Sequence, residues 1–133
     1  MPQKPAELRG MRILVVEDNF LVSEMLRDFL SQCGAEVVGP APRVDAALQL
    51  CEQEGLDGAL LDINLAGQEG FPVATRLLER GVPFMFLSGY DDVEMIPCGL
   101  RHIPRLAKPF DCNEVAEMAA RHFGRGAVRN VCD

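Results

Sequence analysis

The chain has 133 residues, of which 48% are hydrophobic and 25% charged, a size and balance that fit one soluble globular domain and leave no room for two. No apolar run approaches the roughly 20 residues that cross a bilayer, and the opening MPQKPAELRG lacks the apolar segment of a signal peptide, so a cytoplasmic location is expected. The net charge of −7 argues against direct nucleic-acid binding, because phosphate neutralisation needs clustered Lys and Arg.

In chain order, residues 12 to 16 (RILVV) read as a strand. Phe20, Leu21, Met25, Leu26, Phe29 and Leu30 then recur at helical spacing until Gly34 stops the helix. EVVG, 36 to 39, is a short second strand, and Val44, Ala47, Leu48 and Cys51 line one face of a helix ending near Gly55. DGALL, 57 to 61, is a third strand, followed by a loop to Gly70 and a helix through Val73, Leu77 and Leu78 that ends at Gly81. PFMFL, 83 to 87, is a fourth strand and 104 to 106 a short fifth; Val115, Met118 and Ala119 mark a last helix ending near Gly124. Between them, in 91 to 103, Pro97 and Gly99 interrupt any long helix, so a helix there is short or irregular.

Strands alternating with helices imply βαβ units and a parallel sheet covered on both faces. Right-handed crossovers make a doubly wound five-stranded α/β sheet the natural topology, with the flavodoxin-like order 2-1-3-4-5. The domain is expected over 11 to 123, with loosely ordered extensions at 1 to 10 and 124 to 133. Five cysteines, Cys33, Cys51, Cys98, Cys112 and Cys132, are odd in number and contain no C-x-x-C pair, which points to free thiols rather than disulfides or a zinc site. The scattered methionines are expected in the core. His102 and His122 sit at no strand end and are read as surface or packing residues, and Gly67 and Gly70 as loop residues outside any phosphate-cradle pattern.

In open α/β sheets ligands collect beyond the carboxyl ends of the strands. There the sequence places Glu17 and Asp18 after the first strand, Asp62 after the third, Ser88 after the fourth and Lys108 after the fifth. Two carboxylates about 5 Å apart repel by roughly 3 kcal/mol at an effective dielectric near 20, so something positive must share the cleft. A hard divalent ion with oxygen ligands fits: Mg²⁺ for preference, Mn²⁺ as a substitute. Taken singly, Asp18 could be a helix cap, Ser88 a turn residue and Lys108 a solvated charge; their joint placement favours a site.

VVEDN, LLDINL, FLSGY and AKPF together, in this order over about 11 to 123, resemble the four signatures of the bacterial response-regulator receiver domain. The resemblance implies that Asp62 accepts a phosphoryl group from a phosphohistidine, that Asp18 and Asp62 bind Mg²⁺ through side chains, Asn64 through its backbone carbonyl and Glu17 through a water. Ser88 and Lys108 would each hold a phosphoryl oxygen, and a cis bond before Pro109 would aim Lys108 into the cleft. The implied partners are a histidine kinase or histidine phosphotransfer protein and a protein target, with neither nucleic acid nor membrane.

Two positions depart from the pattern, and one stretch is similar to the signature of a subgroup. Arg105 stands where most receivers carry a switch aromatic. Residues 86 to 90, FLSGY, are similar to the F-A-T-G-x-Y signature of a stand-alone subgroup, which makes Tyr90 a candidate reporter of phosphorylation. Ala66 replaces the usual Pro and is expected to loosen the loop after Asp62. The expected function is a single-domain response regulator. The rivals are a phosphorylation-independent interaction module and an aspartyl-phosphate phosphatase; Asn64 counts against the latter, which requires a second Asp at that position.

Overall fold

The computed structural model describes residues 8–65, 67–89 and 92–123. Five parallel strands, β1 (Arg12–Val16), β2 (Glu36–Ala41), β3 (Gly58–Asp62), β6 (Phe84–Ser88) and β7 (Arg105–Ala107), form one sheet in the order β2-β1-β3-β6-β7. This is the flavodoxin-like order expected from the alternating pattern. The helices are α1 (Phe20–Gln32), α2 (Val44–Leu50), α3 (Phe71–Glu79) and α4 (Cys112–His122).

β1, β3 and β6 read as unbroken apolar runs because they are covered on both faces. Successive side chains point to opposite sides, so each run feeds two cores. Leu14, Val16, Leu61 and Phe86 pack with Ala47, Ala74 and Leu77 of α2 and α3. Ile13, Val15, Leu60, Met85 and Leu87 pack with Leu26 and Leu30 of α1 and Val115 and Ala119 of α4. Phe123, just past α4, closes the second core at the far end of the sheet, and a Cβ on Gly58 would lie 2.3 Å from its ring. Only a glycine in β3 admits that ring.

Several sequence expectations change. Leu8 falls in the expected loose extension yet is fully buried, its amide donating to the Cys33 carbonyl at 3.0 Å. The third, fourth and fifth strands each begin and end about one residue later than the apolar runs suggest, so Asp62 and Ser88 are the last strand residues themselves. The loop after Asp62 contains a small antiparallel hairpin, β4 (Asn64–Leu65) with β5 (Gln68–Glu69), which the sequence pattern did not show. Gly67 holds a φ of +85° at its turn; Ala66 itself lies outside the described residues. Asp92–Met95 and Cys98–Leu100 are single 3₁₀ turns, as Pro97 and Gly99 require. Met85 is in the core, but Met25 and Met95 are exposed.

Cys33, Cys51, Cys98 and Cys112 are in no disulfide among the described residues, and Cys132 lies outside them. His102 is exposed, and His122 is half-buried in the last turn of α4. Among the described residues no helix is long and apolar enough to cross a membrane.

Candidate functional site

The ladder fixes the backbone of each candidate residue. Asp62 pairs with Leu87, Ser88 with Ala107, and the Lys108 amide donates to the Ser88 carbonyl at 2.8 Å. The Lys108–Pro109 bond is cis, and so is Gly39–Pro40, which the sequence reading did not anticipate. At the end of β1, Glu17 is buried while Asp18 is exposed. The cap of α1 is Asn19 rather than Asp18: its side chain accepts from the Val22 amide at 3.1 Å, and its own amide donates to Glu17 Oε2 at 3.1 Å.

These residues meet in an open cleft of about 520 Å³ lined by Glu17, Asp18, Asn19, Asp62, Asn64 and Lys108, with Gly67 and Gly89 at its rim. Lys108 Nζ donates to Asp62 Oδ2 at 2.9 Å and sits 3.0 Å from Glu17 Oε1 and 3.3 Å from Oε2. The Asn64 amide donates to Asp62 Oδ1 at 3.2 Å, so both oxygens of that carboxylate are held. Gly70 closes the hairpin against the same strand end: its amide donates to the Ile63 carbonyl at 2.7 Å, and a Cβ there would lie 2.6 Å from the Asp62 carbonyl oxygen. Ser88 is buried and does not line the cleft surface, whereas its neighbour Gly89 does.

Charge is poorly accommodated here. Burial pushes the Asp62 carboxyl from 3.8 up to about 7; the Lys108 hydrogen bond opposes the rise and nearby Glu17 adds to it. Burial alone would lower the Lys108 ammonium, but its bonds to Asp62 and Glu17 outweigh that and carry it above its ordinary value. One ammonium therefore serves two buried carboxylates, with the exposed Asp18 beside them.

Oxygens of Glu17, Asp18 and Asp62 all lie within 4.8 Å of one another. At a Mg–O distance of about 2.1 Å, two ligands of one ion are at most about 4.2 Å apart, so a direct set needs a small side-chain rotation or one water-bridged member. Glu17 Oε1 is buried and accepts no hydrogen bond, its contact with Lys108 being close but poorly directed. A buried carboxylate oxygen left without a donor is costly. An all-oxygen donor set with such an orphan fits a hard divalent cation, which Asp18 and Asp62 could hold with Glu17 behind them.

A doubly wound α/β fold with an acidic cleft over the carboxyl ends of its central strands is the class that structure and site define. The model of the response regulator receiver domain matches residues 13–120, and the chain belongs to that family. It is thus a receiver domain of two-component signalling. SdrG from Sphingomonas melonis Fr1 is 40% identical, with a TM-score of 0.73, covering 83% of this chain and 93% of that one. The BeF3-activated conformation of SdrG, from Pseudomonas melonis Fr1, is 39% identical with a TM-score of 0.69, covering 85% and 96%. The uncharacterized transcriptional regulatory protein YbdJ of Bacillus subtilis is 29% identical over 88% of this chain and 54% of its own. The chain thus spans about half the length of the first curated relatives it matches.

All six residues expected at the site are at or next to one strand-end region, but Asn19, Gly67 and Gly89 were not foreseen as lining it. For Asn19 the signal was there, an Asn directly before a helical run. Arg105 is exposed at the start of β7, and Tyr90 lies outside the described residues.

Proposed function

We propose that this receiver accepts a phosphoryl group on Asp62 from a phosphohistidine of a kinase or phosphotransfer protein, and passes the signal on by protein contact. The observation that carries this is the Lys108 ammonium bridging two buried carboxylates beside an orphaned Glu17 oxygen. An Asp62 oxygen attacks phosphorus, the N–P bond breaks, and the imidazole leaves with the bonding pair and takes up a proton. Mg²⁺, when bound by Asp18 and Asp62, supplies charge neutralisation for the phosphoryl oxygens. Lys108 opposes the rise that burial imposes on the Asp62 carboxyl, and then pairs with a phosphoryl oxygen. The Asn64 amide orients the carboxylate, and Ser88, buried at the end of β6 beside the cleft, would turn its hydroxyl into it to hold another oxygen. This chemistry suits a signalling acceptor of the cytoplasm rather than a turnover enzyme.

Two relatives support the reading. SdrG has a BeF3-activated conformation. The sporulation initiation phosphotransferase F of Bacillus subtilis is 24% identical over 84% of this chain and 93% of its own. Incubation with Mg²⁺ and acetyl phosphate, followed by intact mass, tests the proposal: an adduct of about 80 Da is expected in the native chain and not in Asp62→Asn. Continuous turnover of many phosphate esters would contradict it.

A further inference from the structure

We infer that the outer edge of β7, with Arg105 beside it, receives an extended acidic segment of a partner protein. β7 pairs only with β6 among the described strands. The Pro104 carbonyl accepts from the Phe86 amide at 2.9 Å, and the Lys108 amide donates to Ser88 at 2.8 Å. Alternation then directs Leu106 toward β6 and turns the backbone N–H and C=O groups of Arg105 and Ala107 to the outer edge. The Arg105 and Ala107 side chains are exposed while Leu106 packs toward the core. Two 3₁₀ turns stand before this strand where a helix could have covered it.

The charge is as specific as the backbone. Residues 95 to 110 contain Arg101, Arg105 and Lys108 and no Asp or Glu, in a chain that carries 20 acids. Lys108 turns into the acidic cleft, which leaves Arg101, His102 and Arg105 exposed along the approach to β7. Arg101 is held in place by Nε donating to the Ile96 carbonyl at 3.1 Å. Neither Arg101 nor Arg105 has a carboxylate partner among the described residues.

These features choose between occupants. Alternating donors and acceptors along an open edge are satisfied by an extended polypeptide, and not by a helix or a nucleic-acid duplex. A second copy pairing through its own β7 would bring Arg105 near Arg105, and like charges across a strand pair are unfavourable. The chain's last ten residues carry Arg125 and Arg129 against Asp133, the wrong sign for this edge. An acidic strand from another protein meets both requirements.

The inference deepens the proposed output by protein contact. Its probe is a fluorescein-labelled peptide of alternating Val and Glu, with a Val and Lys peptide as control, titrated into the full chain with and without beryllofluoride. The Glu peptide is expected to bind, and the Arg105 and Ala107 amides to gain exchange protection while Leu106, already bonded to β6, does not. Arg105→Glu should weaken binding about tenfold or more, and Arg105→Lys should restore most of it. Ala107→Pro removes the outward N–H with no change of charge and should weaken binding too. Unchanged amide spectra away from the edge serve as the folding control for each variant. Equal binding of the Lys peptide, no protection at residues 105 and 107, or full binding by Arg105→Glu would overturn the inference. So would occupation of the same amides by a DNA duplex or by a second copy in a concentration-dependent dimer. A missing adduct on Asp62 with peptide binding intact would sink the proposed phosphoryl transfer alone; an adduct without peptide binding would sink only this inference.

Discussion

Replacing Asp62 by Asn is expected to stabilise the cation-free protein, and to do so more strongly as the pH rises. Lys108 attracts the Asp62 carboxylate across 2.9 Å, about 6 kcal/mol at an effective dielectric of 20. Glu17 repels it across no more than 4.8 Å, about 3.5 kcal/mol on the same basis, and desolvation adds several more against the charged form. The balance is adverse, which is why the carboxyl is pushed from 3.8 up to about 7. Because the folded-state value lies above the unfolded one, folding takes up a proton between these limits. This group's contribution is most favourable below pH 3.8, falls as the pH climbs, and is fully adverse above 7. At 1.36 kcal/mol per unit the penalty reaches about 4 kcal/mol at most. Asn keeps an oxygen for Lys108 and carries no charge, so a gain of about 1–3 kcal/mol at pH 8 is expected, shrinking toward nothing near pH 4. Urea unfolding of both proteins in EDTA from pH 4.5 to 8.5 measures the difference, and repeating it in Mg²⁺ should erode it, since the native site gains the cation's binding energy and the variant has lost a ligand. If Asp62→Asn is destabilising at pH 8 in EDTA, or its effect does not grow with pH, the electrostatic reasoning is wrong.

Lys108→Ala leaves two buried carboxylates without their ammonium and should cost about 3–5 kcal/mol in EDTA, partly recovered in Mg²⁺, as read by thermal unfolding. Gly58→Ala drives a methyl against the Phe123 ring and should cost about 1–3 kcal/mol; combining it with Phe123→Ala should cost less than the sum, which a double-mutant cycle in urea would show. Cys51 is buried, and burial raises its thiol to about 11, so thiol reagents at pH 8 should label exposed Cys98 first and Cys51 only on unfolding.

The sheet was legible because burial on both faces turns its central strands into uninterrupted apolar runs, and the loops at their ends then expose the chemistry. Strand ends were misplaced by about one residue because ladder pairing, which sequence does not display, carries each strand into its polar terminal residue, Asp62 or Ser88. The hairpin at 64 to 69 was missed because strands of two residues have no periodicity to read. Leu8 was missed because an isolated apolar residue in a polar leader gives no pattern; its burial depends on the turn after α1. Asp18 and Asn19 are both good caps by type, and only the reach to the Val22 amide decides between them. Tyr90 falls outside the described residues, so its reporter role stands as a proposal to be tested with Tyr90→Ala and a bound partner.

The most direct measurement is the mass of the native chain after brief exposure to acetyl phosphate, with Mg²⁺ and with EDTA, followed by peptide mapping. Phosphoryl transfer into this cleft predicts one adduct of about 80 Da, dependent on the cation and located on Asp62. No adduct in Mg²⁺, an equal one in EDTA, or one mapped to another residue would contradict it.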